Sequence, residues 1–257
     1  MEEIIQSAKN PRVQVWRSLK DRKGRLSESA FLVEGTKMVQ EAFSSSFGIK
    51  ALLLREDYLA PEPRPDCPVY RLSDHVFQAV CSTVTPQGIA AVLTMDTRPA
   101  EGPRILALDG VQDPGNVGTM IRTADAAGFS GVLFSPDCAD LFSPKVLRST
   151  MGSVFRLGFS FPKSLAASLK DFRNSGYSVI SSQLDGEPFF ERKEVASSFV
   201  LVVGNEGNGI SAPVRQAATH HLRLPMAGGA ESLNAAVAAG SMMYDLGRNA
   251  VTGEKSD

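Results

Sequence analysis

Residues 105–135, ILALDGVQDPGNVGTMIRTADAAGFSGVLFS, decide the fold. The apolar run 105–111 has the composition of a buried strand, and Gln112-Asp113-Pro114-Gly115-Asn116 interrupts it with turn-forming residues. Residues 117–127 then carry apolar side chains at helical spacing, and Gly128 closes the helix. A second apolar run, 131–135, follows at once. A strand, a helix and a further strand joined by short loops form a unit of parallel sheet, because parallel neighbours need a crossover connection.

Downstream the alternation continues. Ser143-Pro144 opens a helix through Lys145 and Arg148, with a hydroxyl cap and proline at the first helical position. Strands are expected at 154–161, 177–181, 199–203 and 221–224, and helices at 164–175 and 232–246. This pattern predicts an α/β domain whose parallel sheet is covered on both faces. Upstream, a strand at 31–35, a helix at 36–43, strands at 49–54 and 88–93 and a helix at 73–81 predict a smaller α/β domain. A proline-rich run at 61–68 interrupts it, and the polar segment 96–103 reads as a linker. The expected division is 1–97 for the first domain, 98–103 for the linker, 104–250 for the second domain and 251–257 for a tail.

Composition excludes several classes of protein. The chain has 257 residues, 43% of them hydrophobic and 21% charged, enough apolar material for a core and too little net charge to keep it expanded. The longest apolar runs, 199–203 among them, are far short of the ~20 residues of a membrane span. The acidic start, Met1-Glu2-Glu3, lacks the basic region of a secretory signal. Three widely spaced cysteines form no CxxC pair, so neither a disulfide framework nor a metal site is expected, and a reducing cytoplasm fits best.

The net charge of -1 is unevenly distributed. Residues 1–25 hold seven basic groups, Lys9, Arg12, Arg17, Lys20, Arg22, Lys23 and Arg25, against three acidic ones, a local net of +4. Two readings are open. One is a phosphate-binding arm in which Trp16 stacks on a base; the other is a solvated helix face with Trp16 packed on the core.

In an open parallel sheet, ligands bind beyond the carboxyl ends of the strands. The loops there are 112–116, 204–211 and 225–234, and they carry polar groups that packing alone does not require: Asn116, Glu206, Ser232 and Asn234, with Arg122 on the helix that follows the first loop. None of these loops spells GxGxxG or a Walker A sequence, and HExxH and GxSxG are absent, so dinucleotide binding, ATP binding, zinc hydrolysis and serine hydrolysis lack their signatures. His220-His221 reads as a structural pair, because adjacent strand residues face opposite ways.

Three segments, DGVQDPGNVGTMIRTADAAGF (109–129), VVGNEGNGIS (202–211) and LPMAGGAESLNAAVAA (224–239), resemble in order the three motifs of the SpoU or TrmH family of RNA ribose 2'-O-methyltransferases. FLVEGTKMVQEA (31–42) and TPQGIAAVL (85–93) resemble the small substrate-binding domain that precedes the catalytic domain in many members. The resemblance implies a SPOUT fold with a C-terminal trefoil knot, a homodimer joined through the catalytic domain, S-adenosylmethionine as cofactor, and RNA as substrate, with rRNA favoured over tRNA. It also implies that Gly204, Leu224, Met226 and Leu233 contact the cofactor.

The same resemblance implies a catalytic group of Arg122, Asn116, Glu206, Ser232 and Asn234. Methyl transfer needs the 2'-oxygen held about 3–3.5 Å from the methyl carbon and in line with sulfur, so positioning is most of the task. A guanidinium stays protonated, which makes Arg122 a phosphate and ribose clamp before a base. Asn116 is expected to orient Arg122 or the ribose, and Glu206 to hold the loops and Arg122. Lys145, Arg148 and the basic groups Arg12, Arg17, Lys20, Arg22, Lys23 and Arg25 are the candidate RNA contacts. The rival functions are tRNA methylation and non-catalytic RNA binding on the same fold.

Overall fold

The structure is a computed structural model that describes residues 4–60 and 66–248. The elements in chain order are β1 (Ile4–Ile5), α1 (Pro11–Ser18), α2 (Arg22–Glu28), β2 (Ala30–Glu34), α3 (Thr36–Phe43), β3 (Ile49–Arg55), β4 (Val69–Leu72), α4 (Asp74–Val80), β5 (Ile89–Thr94), β6 (Arg104–Asp109) and α5 (Pro114–Ala126). There follow β7 (Gly131–Phe134), α6 (Pro144–Thr150), β8 (Gly158–Ser160), α7 (Leu165–Asn174), β9 (Ser178–Pro188), β10 (Phe199–Gly204), α8 (Ala212–Ala217), β11 (His220–Arg223) and α9 (Ala235–Leu246). The proline-rich residues 61–65 and the expected tail 251–257 lie outside the described residues.

The chain forms two compact units. One takes the described residues up to Asp96 together with Asp140–Phe155; the other takes Thr97–Ala139 and the described residues from Arg156 onward. Residues 140–155, assigned to the second domain on sequence, thus cluster with the first unit. The reason is aromatic: Phe142 packs on Phe31 with centroids 4.7 Å apart, and Phe155 meets Phe47 edge-on at 5.7 Å. Phe155 lies in a 3₁₀ turn, so the strand expected over 154–161 shortens to β8.

The first unit is a mixed five-stranded sheet ordered β1-β4-β3-β5-β2. Its core includes Leu53, Leu72, Val76, Phe77 and Val80 together with Val13, Trp16 and Leu19. Trp16 is 6% exposed and packs against Tyr70, which corrects the base-stacking reading. Arg25 is likewise no surface cation. It is 3% exposed, donates to the carbonyls of Leu19 and Lys20, and pairs with Asp140 at 2.7 Å. A charge so buried persists only when paired and hydrogen-bonded. Lys20 is half-buried and donates to the Ala79 carbonyl at 2.8 Å. Arg12, Arg17, Arg22 and Lys23 remain exposed.

The second unit is a six-stranded, wholly parallel sheet ordered β11-β9-β10-β6-β7-β8. The long apolar strands β6 and β10 lie side by side at its centre, with Asp109 opposite Gly204. From β6 the chain passes to β7 on one side, while β10 and β9 lie on the other, which makes the β6/β10 boundary a topological switch point. The loops that leave β6 and β10 therefore emerge next to each other.

Candidate active site

The site lies wholly in the second unit and begins with the end of β6. Asp109, 8% exposed, accepts from the Ser211 backbone N–H at 2.7 Å, and Asn205 donates to the Gly110 carbonyl at 2.8 Å. These two bonds bind the loop after β10 to the loop after β6. Within the second loop, the Asn205 side chain accepts from the N–H groups of Gly207 and Asn208, a local turn of the kind asparagine favours. The loop doubles back so tightly that a Cβ at Gly204 would lie 2.4 Å from the Gly209 carbonyl carbon.

Asp113 caps α5 and accepts from the Asn116 N–H at 2.7 Å, with Pro114 at the first helical position. The cap fixes the start of the helix and projects the Asn116 side chain out of its first turn. That side chain meets two partners. Its amide nitrogen donates to Glu206 Oε1 at 2.9 Å, and its oxygen accepts from Asn234 Nδ2 at 3.0 Å. Asn234 in turn caps α9, its oxygen accepting from Ala236 and Val237 N–H.

The polarity of this chain of bonds is forced. An ionised carboxylate only accepts and a helix N-terminus only donates, so each amide between them has a single satisfactory orientation. One half-buried asparagine therefore ties together the loops after β6, β10 and β11.

Arg122 stands apart from this network. It is exposed on α5 and makes no hydrogen bond or ion pair among the described residues. Six residues beyond Asn116, it is turned about 120° around the helix and stands about 9 Å further along it. Asn116 is expected from the sequence to orient Arg122 or the ribose, and Glu206 to hold the loops and Arg122; among the described residues neither bonds Arg122, since Asn116 bonds to Glu206 and to Asn234 and Glu206 thereby joins the loops.

The third loop, 225–233, has neither helix nor strand, and its backbone donors and acceptors form no hydrogen bond among the described residues. A Cβ at Gly228 or Gly229 would meet nothing within 4 Å. Leu224 and Met226 are half-buried, whereas Ser232 and Leu233 are exposed. A run of unpaired backbone amides beside apolar side chains suits a ligand with a heteroaromatic ring, read at its edge by main chain and at its faces by aliphatic groups.

From Asn116 and Asn234, which line one end of it, a cavity of about 520 Å³ runs between α5 and α9 past Thr119, Thr123, Val237 and Tyr244. Burial pushes the thiols of Cys81 and Cys138 up, so neither is a ready nucleophile. Among the described residues, no group of three or more His, Cys, Asp or Glu is placed to hold a metal ion.

Sequence reasoning singled out Asn116, Glu206 and Asn234, and the structure brings all three together. It does not bring Arg122 or Ser232 into their network. Asp109, Asp113, Asn205 and Ser211, which position the loops, are not among the residues expected from the sequence. Asp113 carried a usable signal, an acid before proline at a helix start, the same pattern that was read at Ser143-Pro144. Asp109 carried none, since its role depends on Ser211, 102 residues away.

Residues 103–244 match the model of the SpoU rRNA methylase family. The chain belongs to this family. Residues 10–91 match a second model, the MRM3-like substrate binding domain. Among relatives, the chain is 40% identical over 247 residues to the 23S rRNA (guanosine(2553)-2'-O)-methyltransferase RlmP of Bacillus subtilis, covering 94% of this chain and 98% of that one.

Two solved structures are similar along nearly the whole length. A putative RNA methyltransferase of the TrmH family from Porphyromonas gingivalis is 35% identical, with a TM-score of 0.86 over 94% of this chain and 98% of that one. An AdoMet-bound rRNA methyltransferase from Sinorhizobium meliloti is 30% identical, with a TM-score of 0.83 over 96% and 98%.

Proposed function

We propose that this SpoU-family chain transfers a methyl group from S-adenosylmethionine to a ribose 2'-hydroxyl of ribosomal RNA. The observation that carries the reading is the Asn116 side chain, bonded at 2.9 Å to Glu206 and 3.0 Å to Asn234, which ties three strand-end loops at the switch point of the sheet. Full-length similarity to a 23S rRNA 2'-O-methyltransferase favours rRNA over tRNA as substrate.

Bound in the third loop, S-adenosylmethionine supplies the methyl group on a sulfonium. Gly204 and the free backbone of 225–233 suit its adenine and amino-acid groups, with Leu224, Met226 and Leu233 as apolar contacts. The Arg122 side chain, exposed and without a partner among the described residues, is available to hold phosphate and ribose. Asn116, Glu206 and Asn234 hold the walls of the site in register, and Ser232 offers a hydroxyl to the substrate. Lys145 and Arg148 on α6, with Arg12, Arg17, Arg22 and Lys23, serve as phosphate contacts.

The active form in this reading is a homodimer joined through α5 and α9, where Val237 is 55% and Tyr244 47% exposed beside an open cavity. The chain returns from β11 at the sheet edge to pack α9 against α5 and β10, a path that accommodates a trefoil knot. Free thiols at Cys67, Cys81 and Cys138 agree with a cytoplasmic setting, and no helix among the described residues is long and apolar enough to cross a membrane.

Mass-spectrometric mapping of ribose methylation in total RNA, with and without the gene, tests the reading. Loss at one rRNA position, restored by the wild-type gene and not by Arg122→Ala, is expected. Loss in tRNA alone moves the substrate, and an unchanged map removes the function.

A further inference from the structure

The first unit contains a second ligand-sized cavity, of about 290 Å³, lined by Lys37, Met38, Thr85, Gln87, Arg148 and Met151 among others. Its wall includes one of the two non-glycine residues with positive φ among those described: Met151, at φ 51° and ψ 33°. A methionine in the left-handed region is strained, and glycine would hold this helix end at lower cost. Met151 is also 43% exposed, an apolar side chain in a costly backbone position and turned to solvent. Helix termination does not require that combination. A ligand that contacts the thioether would account for it.

We propose that this cavity binds one unstacked nucleotide of single-stranded RNA, its base held between the side chains of Met38 and Met151. The inference rests on the RNA reading above and extends it to a subsite that the catalytic residues do not form. Three observations on charge and hydrogen bonding favour a nucleotide.

Lys37 and Arg148 are exposed cations on the rim, and neither side chain has a hydrogen bond or ion pair among the described residues. The lining acid, Glu34, is fully engaged: its carboxylate accepts from the Ser82 and Thr83 N–H groups at 2.6 and 3.1 Å and from the Thr83 hydroxyl at 2.6 Å. Those donors are neutral and leave Glu34 its charge, so two cations stand against one acid in the lining, an excess of positive charge that suits a phosphate.

Gln87 spends its oxygen on the Thr36 N–H at 2.9 Å, and among the described residues neither its amide N–H groups nor the Thr85 hydroxyl has a partner. Such groups read the edge of a splayed base, while polarisable thioethers suit its faces. The volume lies near the roughly 300 Å³ at which small-molecule pockets begin, which suits one base and excludes a stacked run.

The test uses the full-length protein labelled with ¹³C at the methionine methyls and titrated with short single-stranded oligo(A) or oligo(U). Ring-current shifts of the Met38 and Met151 methyl signals are expected. Met38→Ala and Met151→Gly should each weaken oligonucleotide binding about tenfold, the scale of one lost base stack.

Met151→Gly should at the same time raise Tm by relieving the left-handed strain, so that lost binding is not lost folding. Unmoved Met38 and Met151 signals, or variants that bind as the wild type does, overturn the proposal. Methyl transfer to rRNA by the wild type is measured alongside. Intact transfer with unmoved signals sinks the pocket alone, whereas shifted signals without transfer support the pocket and remove the methyltransferase reading.

Discussion

Asn116 and Glu206 stand ninety residues apart in the chain and share a hydrogen bond of 2.9 Å. The contact exists because β6 and β10 are neighbours in the sheet, with Asp109 opposite Gly204, so that the loops they launch start side by side. With Asn234 on its other side, Asn116 has both amide ends committed.

Asn116→Asp should remove the only donor between 116 and 206 and oppose two carboxylates. A misplaced loop costs on the order of 100-fold in rate, so methyl incorporation into rRNA should fall by about that factor. Stability should fall by only about 1 kcal/mol, since the site is open to solvent. Combining it with Glu206→Gln restores a donor across the contact and should recover part of the activity. Unchanged incorporation by the single variant would show that the bridge does not position the site.

Arg122→Ala should abolish methyl transfer and leave cofactor affinity nearly intact by calorimetry. Arg122→Lys should recover little, because a point charge does not replace a planar fork. Tm should barely move for either variant, since Arg122 is exposed and its side chain has no partner among the described residues. Lost cofactor affinity would assign the residue to the cofactor instead.

Gly204→Ala should distort the loop after β10, where the proposed cofactor site lies. The new Cβ would meet the Gly209 carbonyl carbon at 2.4 Å and the Ile210 nitrogen at 2.5 Å, backbone atoms that move only with the loop. A cost of about 1–3 kcal/mol in denaturant unfolding is expected, with cofactor binding weakened more than folding. A variant that binds cofactor normally would place the cofactor elsewhere.

The N-terminal helices separate two effects. Trp16→Ala should destabilise by about 3–5 kcal/mol because the ring is buried beside Tyr70. Arg17→Glu, Arg22→Glu and Lys23→Glu should leave unfolding almost unchanged while flattening the salt dependence of RNA binding, each lost phosphate contact lowering the slope by about 0.7–0.9. An unchanged slope would make the basic face a solubility device.

Much of this was legible before folding. Apolar periodicity located α3 at its observed limits, Thr36–Phe43, and most strands to within a few residues. Proline after a capping side chain marked the start of α6, and the pattern over 105–135 implied a parallel sheet. The glycine- and asparagine-rich loops pointed to the strand ends where Asn116, Glu206 and Asn234 meet. These are local matters: a cap, a turn or an amphipathic face is decided by energies within a few residues of chain.

Only the tertiary structure decided the pairings. Whether Asn116 faces Arg122, six residues away, or Glu206, ninety away, depends on strand order, which no local pattern encodes. Arg25 counts as a surface cation until Asp140, 115 residues distant, neutralises it in a buried contact. Residues 140–155 look like part of the second domain until Phe142 and Phe155 find Phe31 and Phe47. Burial of a ring or an ion pair draws its free energy from partners far along the chain, and the sequence states those partners without saying which will meet.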